Sequence, residues 1–402
     1  MQNRERLRTG DQALVRQINT ALVLDVLRTR APISRASLSQ ITGLNKSTIS
    51  DLIADLHARR FVRELGQHSA GLGRPGTLLE LNPGAGMLIA AEIAVEHIEV
   101  ALADFAPAIL WQQRSPLAPG DDHTRIIALL LELLRVAAAR GEAQGMPLLG
   151  IAVGVPGIVE QGLGRVALAP NLGWRDIPLR DLLERERFGA PVFVDNEANL
   201  AALGEHYFGA AQGCAEVLYL SVGAGLGGGI IRDGRLYRGV SGGAAEFGHM
   251  TLDGAGELCR CGNRGCWETL VSQPALLRSI ARLLAQGRPS TLANHPGEPS
   301  VALVAEAARA GDPVASEALD TLGRWLGTGI ATLLNALNPE LVVVGGALSP
   351  AADLLLPAVE AELGWRALPR NRDAARVVPA AHHADACLRG GLALVYQAVL
   401  EA

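Results

Sequence analysis

The sequence predicts an α/β protein in two parts, a small N-terminal winged helix-turn-helix followed by a larger bilobed α/β body. Three observations carry this. Capped helical segments separated by a glycine turn fill the first sixty residues. Strand-like apolar runs then alternate with helix-period ones from about residue 87 onward. Charge also divides unevenly: residues 1–82 carry 12 Lys/Arg against 7 Asp/Glu, a net +5, while the remaining 320 carry 24 against 34, a net −10. A basic head on an acidic body assigns a polyanionic partner to the head alone.

A length of 402 residues with 49% hydrophobic content gives two or three domains with ample cores. No apolar run reaches a membrane span, since IIALLLELLRVAAA is broken by Glu132 and Arg135. The start, MQNRERLRTGDQ, has no apolar signal core. Five cysteines, three of them clustered, fit a reducing compartment, so the expected location is cytoplasmic, without membrane insertion.

In the head, Leu14, Ile18, Leu22, Val26 and Leu27 recur at helical spacing, and Ala31-Pro32 ends that helix. Ser34 caps a second helix running to about Thr42, Gly43 makes the turn, and Asn45 caps a third helix with Ile49, Leu52, Ile53 and Leu56 on its apolar side. The exposed start of the third helix, Lys46, Ser47, Thr48 and Ser50, offers short donors and acceptors plus the only lysine of the chain. These groups suit base edges and phosphates. Arg35, at the start of the second helix, joins them as a candidate DNA contact. FVREL (61–65) and TLLEL (77–81) read as the strands of a wing with Arg74 at its tip, where an arginine on a Gly/Pro loop reaches a minor groove or a phosphate.

The body begins after Asn82-Pro83-Gly84. MLIAAEIAVEHIEVALAD reads as a strand hairpin, followed by a helix at about 123–140, a buried strand LLGIAVGVPGIV, and PVFVDNEAN leading into another helix. A second cycle opens at EVLYLSVGAGLGGGII (216–231) and continues through helices at about 269–285 and 313–337, a polar loop at 286–300, and the strand ELVVVGG (340–346). Two similar halves imply two lobes with a ligand cleft between them. Asn171, Asn196 and Glu197 stand at strand ends facing that cleft, and their side chains suit the reading of a polyol. SVGAGLGGGII reads equally as a phosphate-cradling loop or a tight hairpin turn.

Cys259, Cys261 and Cys266 follow a C-x-C-x₄-C spacing, with His249 ten residues before the first. Three thiolates and one imidazole make a closed tetrahedral set of the kind that holds structural zinc; free thiols or a disulfide are the plainer alternative. Glu246 and Glu268 flank this set, either as grips for hydroxyl groups or as surface acids.

Together, EFGHM and CRCGNRGCWE resemble the signatures of the ROK family of repressors, open reading frames and kinases. The resemblance covers nearly the whole chain and implies an actin-like/ribonuclease-H-like sugar-binding body over residues 83–402. The small lobe would take about 83–195 plus the C-terminal helix, and the large lobe about 196–385. Residues 1–82 resemble the winged head that repressor members carry. The resemblance implies that Glu246, His249 and Glu268 contact a sugar, that Asn171, Asn196 and Glu197 complete the site, and that His249 serves both zinc and sugar.

Family kinases need a D-x-G-G-T phosphate loop, an aspartate in N-D-A-N and a threonine in G-T-G. Here the matching stretches read Glu92-Ile93-Ala94-Val95-Glu96, Asn196-Glu197-Ala198-Asn199 and Gly223-Ala224-Gly225. Both phosphate-loop glycines are replaced, and a glutamate base is one methylene longer than aspartate, where a misplacement of about 1 Å costs on the order of a hundredfold. Glu197 is also similar to the xylose-type repressors of the family. The expectation is therefore a sugar-responsive repressor without kinase activity, a homodimer or tetramer on palindromic operator DNA, with a sugar effector and a structural zinc. A kinase carrying a DNA-binding head is the alternative.

Overall fold

The chain is described here by a computed structural model over residues 12–68, 76–118 and 120–401. The first helix spans Gln12–Arg30. The Ser34 side chain accepts from the Ser37 amide and opens helix Arg35–Thr42, which Gly43 closes in a left-handed conformation at φ 72°. Asn45 accepts from the Thr48 amide and opens Lys46–Ala58. Both caps satisfy amides that a first helical turn leaves without partners. Ile49, Leu52, Ile53 and Leu56 are buried, in one core with Val23, Leu24, Leu27 and Leu38. The wing pairs Val62–His68 with Gly76–Leu81, and Ile33–Ser34 adds a short third strand. Arg74 lies outside the described residues.

The body contains two five-stranded sheets of the same topology. The first runs in the order Val192–Asn196, Leu148–Val155, Met87–Ile93, His97–Asp104, Ile109–Pro116. The second runs Arg235–Leu236, Leu226–Arg232, Val217–Val222, Leu341–Gly345, Arg376–Pro379. In each, an antiparallel meander supplies three strands, and two later strands add in parallel beside its first. The two similar halves expected from sequence are these sheets.

The structure differs from the sequence reading at several elements, among them the expected helix at about 269–285, which breaks at Ser272 into Glu268–Val271 and Gln273–Ala285. Ile109–Pro116 is an edge strand whose side chains are mostly exposed, so its polar residues hide the strand pattern. LLGIAVGVPGIV is not one strand. It breaks at Pro156-Gly157, with Gly157 at φ 103°, and Ile158–Glu160 joins a separate small sheet with Arg165–Ala169 and Trp174–Ile177. Helix Val301–Arg309 follows the expected loop, capped by Ser300.

Helix His123–Glu142 covers the first sheet with Ile126, Leu130, Leu133 and Leu134. The opposite side is closed by the C-terminal helix Ala386–Glu401, which lies on strands Met87–Ile93 and Leu148–Val155. Helix Glu197–Phe208 lies on strands Val217–Val222 and Leu226–Arg232 of the second sheet. These two helices pack against each other backbone to backbone. A Cβ on Gly390 would sit 1.6 Å from the Leu200 carbonyl oxygen, and one on Gly204 2.3 Å from that of Ala386. Among the described residues, no helix is long and apolar enough to cross a membrane.

Gly390→Ala is expected to force this crossing apart and lower stability by about 1–3 kcal/mol, the usual cost of overpacking. Gly364→Ala, where a Cβ meets nothing within 4 Å, is the control and should be neutral or slightly stabilising. Urea unfolding of the two variants compares them directly; equal midpoints would contradict the packing described.

Candidate functional site

The metal-type residues are brought together by a knuckle that folds on itself. The Cys259 amide donates to the Asn263 carbonyl at 2.7 Å and the Gly262 amide to the Cys259 carbonyl at 3.0 Å. Gly262 and Gly265 adopt φ of 92° and 64°, and a Cβ on Gly265 would fall 1.5 Å from the Asp253 carbonyl oxygen. Glycine is therefore required there. Trp267 pins the knuckle to the body. It is fully buried, its indole N–H donates to the Trp325 carbonyl at 3.0 Å, and its ring packs on Gly329 of helix Pro313–Leu337.

His249, Cys259, Cys261 and Cys266 place their ligand atoms within 4.8 Å of one another. Cys259 Sγ is 3.7 Å from His249 Nδ1, and the Cys261 and Cys266 sulfurs are 3.6 Å apart. A tetrahedral ion with metal–sulfur bonds of about 2.3 Å sets sulfur–sulfur edges of about 3.8 Å, so the set fits such an ion. Burial and the Glu268 carboxylate push the Cys259 thiol up from its ordinary range, and a bound cation would reverse that. With Nδ1 turned to the sulfurs and 36% of its side chain exposed, His249 keeps Nε2 free for another partner.

The expected sugar residues gather around the turn of hairpin Val217–Arg232. Glu268 Oε1 lies 3.6 Å from His249 Nδ1. Glu268 Oε2 and the Asn171 amide flank Gly225, the former 2.6 Å and the latter 3.9 Å from where a Cβ would stand. Glu197 Oε1 lies 3.5 Å from the corresponding point on Gly227. Glu246 precedes the turn Phe247–His249; its carboxyl is raised by burial and by Glu268, against the opposing pull of His249.

Glu197 is the strongest group in the site. Its carboxyl is pushed up to about 8, first by burial and then by Glu92 and Glu246. Its Oε2 is buried with no hydrogen-bond partner. A protonated carboxyl there offers one donor and further acceptor capacity, the complement of a sugar hydroxyl. Asn196 is largely committed elsewhere. Its Oδ1 caps helix Glu197–Phe208 by accepting from the Ala198 and Asn199 amides, and its Nδ2 donates to the Gly157 carbonyl at 2.9 Å. One amide hydrogen remains for a ligand.

Sequence reasoning missed two arginines that bridge elements at this site. Arg238, half-buried, forms a two-point ion pair with the buried Asp195 Oδ2 at 2.8 and 2.6 Å. Asp195 in turn accepts from the Asn196 amide and the Asn199 side chain through Oδ1. Arg260, between two of the cysteines, donates to Asn171 Oδ1 at 3.1 Å. Neither pair carries a local spacing signal.

Residues 88–398 match the profile described as the ROK family. A xylose repressor from Caldicellulosiruptor bescii is 36% identical over 86% of this chain and 87% of its own length. A crystal structure of a ROK family transcriptional regulator, described as a homologue of the E. coli MLC protein, matches with a TM-score of 0.83 at 30% identity over 96% of this chain and 97% of that one. The chain belongs to the ROK family. A ROK family glucokinase from Streptomyces griseus, solved with glucose and AMPPNP, matches with a TM-score of 0.67 at 36% identity, covering 99% of the kinase but 77% of this chain.

Within this ROK chain, the stretch Glu92-Ile93-Ala94-Val95-Glu96, which stands where the family's kinases carry their phosphate loop, lies at the tight turn between strands Met87–Ile93 and His97–Asp104. Glu92 there is pushed up to about 7 by burial and by Glu99, which itself pairs with Arg114 at 2.6 Å. In the head, Lys46, Ser47 and Ser50 are exposed on the third helix and Thr48 is half-buried. Ser47 donates to Asn45 Oδ1, Ser50 to the Lys46 carbonyl, and Arg35 pairs with Glu64 at 2.7 Å. DNA contact by Arg35 requires exchanging that partner.

The Glu197 shift has a consequence for stability. The folded carboxyl holds its proton up to about pH 8, while an unfolded one releases it near 4.5. The native state then binds more protons across that interval, so this group makes stability fall as pH rises through it. Glu197→Gln removes that dependence. Its unfolding midpoint should match the native protein below pH 4.5, gain on it up to about pH 8 and level off above; parallel curves across that range would refute the assignment.

Proposed function

We propose that this chain is a sugar-responsive transcriptional repressor of carbohydrate-utilisation genes, released from its operator by a sugar bound in the ROK cleft. The observation that carries the reading is the presence, in one chain, of a winged helix-turn-helix head and a cleft where Glu197 keeps a buried, unpartnered carboxyl oxygen beside a Cys₃His cluster. The repressor relative and the regulator structure, both matched over most of their lengths, support it.

In this reading residues 1–82 form the DNA-binding head and residues 83–402 the sugar-binding body, with a small lobe of about 83–195 plus the C-terminal helix and a large lobe of about 196–385. Lys46, Ser47, Thr48 and Ser50 face the major groove, and Arg35 and Arg74 reach the backbone or the minor groove. A homodimer, or a tetramer of two dimers, spans a palindromic operator. Zinc is held by His249 Nδ1, Cys259, Cys261 and Cys266, and supplies a rigid, charge-compensating anchor for the knuckle. Asn171, Glu197, Glu246, His249 Nε2 and Glu268 bind the hydroxyls, with the remaining amide hydrogen of Asn196. The xylose repressor relative makes D-xylose the first sugar to test. The sugar must bind the DNA-free state more tightly than the DNA-competent one, because equal binding shifts nothing.

The glucokinase match favours one second reading, a sugar kinase with a DNA-binding head. A thermal-shift panel of pentoses and hexoses on the zinc-loaded protein, with and without Mg-ATP, separates the two. A bound sugar raises the midpoint by mass action. Stabilisation by one sugar that Mg-ATP leaves unchanged is the expected result. Further stabilisation by Mg-ATP, with sugar-dependent ATP consumption lost in Glu197→Gln, would establish the kinase instead.

His249→Ala is expected to lower bound zinc below stoichiometric and to abolish the sugar-induced midpoint shift, since one imidazole serves both. Metal analysis and the same thermal assay check this; full zinc with a normal sugar shift would remove His249 from the coupling.

A further inference from the structure

The head meets both helices of the central crossing: its first helix packs on helix Ala386–Glu401 and also reaches the end of helix Glu197–Phe208, and two polar or aromatic seams mark these contacts. The first seam is at the C-terminal end of helix Glu197–Phe208. Arg28, on the first helix of the head, has only 10% of its side chain exposed and is held by Asp25 at 2.6 Å. It donates to the Tyr207 carbonyl, and its guanidinium carbon lies 5.1 and 5.2 Å from the ring centroids of Tyr207 and Phe208. A cation on the last carbonyls of a helix also meets the negative end of its dipole, and the two rings add a cation–π attraction. The second seam is on the C-terminal helix. Phe61 of the head stacks on Phe105 at 4.6 Å, Phe105 contacts Tyr396 at 5.2 Å, and Arg59 donates to the Val399 carbonyl at 3.4 Å.

The first seam has a distinctive origin. The same helix that ends on Arg28 begins at the sugar site, with Asn196 as its cap and Glu197 as its first residue. Between these ends, Ala198 to Glu205 are all buried. Glu205 holds the neighbouring loop by accepting from the Ala210, Ala381 and His382 amides. Twelve helical residues rise about 18 Å, so a rigid element of that length joins the cleft to the head. Its partner in the crossing, helix Ala386–Glu401, rests on the other sheet. A shift of one sheet relative to the other therefore moves the Arg28 seam against the Phe61 seam, and packed helices move by small, discrete slides of this kind.

We propose that helix Glu197–Phe208 is the shaft that transmits sugar occupancy to the DNA-binding head, with Arg28 as its positioning residue and the Phe61–Phe105–Tyr396 stack as the fixed seat. This rests on the repressor reading above and names its regulation. A ligand on Glu197 engages one end of the shaft. The other end carries the guanidinium that fixes the angle of the first head helix, and through it the spacing of the third helices on DNA. Arg28 Nε is buried without a partner, so the docked arrangement is incompletely satisfied and open to replacement by another.

The test uses the full-length, zinc-loaded protein, a duplex that the native protein retains from a random-sequence pool, and D-xylose as the probe. Two quantities are measured for the native protein, Arg28→Ala and Phe208→Leu: the dissociation constant for D-xylose by calorimetry, and the ratio of DNA affinities without and with saturating D-xylose by fluorescence anisotropy. Both variants are expected to bind D-xylose within about twofold of native, while the DNA ratio falls at least tenfold toward unity; a tenfold loss is about 1.4 kcal/mol of coupling. A purely structural role would weaken DNA binding equally with and without sugar, leaving the ratio unchanged. Phe208→Leu alters no head residue, so it decides the matter if Arg28→Ala no longer binds DNA. A native-like ratio in Phe208→Leu overturns the shaft while leaving the repressor reading intact. A native protein that binds D-xylose but shows no change in DNA affinity overturns both.

Discussion

The contact between helices Glu197–Phe208 and Ala386–Glu401 is the constraint on which the rest of this molecule depends. Gly204 and Gly390 let the two backbones touch, and no side chain fits between them. One helix belongs to the packing of the second sheet and the other to that of the first, so this crossing is where the duplicated halves become one body. It also fixes three things at once. The N-terminal end presents Asn196 and Glu197 to the cleft, Cys387 of the partner helix lies against Gly154 on the neighbouring strand, and the far ends carry the aromatic residues that receive the head. An interior packed at crystal-like density transmits a displacement instead of absorbing it, which is why a contact this close can join distant sites.

The candidate site gathers several carboxyl groups in one buried region. Glu197, Glu246 and Glu268 approach one another with few compensating cations among the described residues. Burial first, and the neighbouring carboxylates second, raise the carboxyls of Glu197 and Glu246. Glu197, pushed up to about 8, keeps its proton at neutral pH, so it is both donor and acceptor and does not repel its neighbours. The Cys₃His cluster adds a place for positive charge beside Glu268, and the Arg238–Asp195 pair holds the strand end that carries Asn196.

How much was legible follows the range of each interaction. The head was readable almost residue by residue: Ser34, Gly43 and Asn45 act within a few residues of themselves, and the apolar side of the third helix obeys a 3.6-residue period. The Cys₃His set was readable because a knuckle requires its ligands close in sequence, with glycines at the left-handed turns. Edge strand Ile109–Pro116 was not, since its polar, exposed side chains carry no burial signal. Nor was the break at Pro156-Gly157, where an apolar run continues while the chain changes sheets.

The sequence by itself therefore determined the architecture of head and body and the metal-type knuckle, because caps, periodicity and ligand spacing are local and repeat. Tertiary structure alone decided which arginines matter. Arg238 meets Asp195 across 43 residues of chain, Arg260 meets Asn171 across 89, and Arg28 meets Tyr207 across 179. A lone arginine in a sequence reads as solvated surface charge, and only the folded chain brings each one to its partner. The same holds for Glu197, whose proton is retained because burial removes water from a carboxyl that in sequence is one glutamate among many.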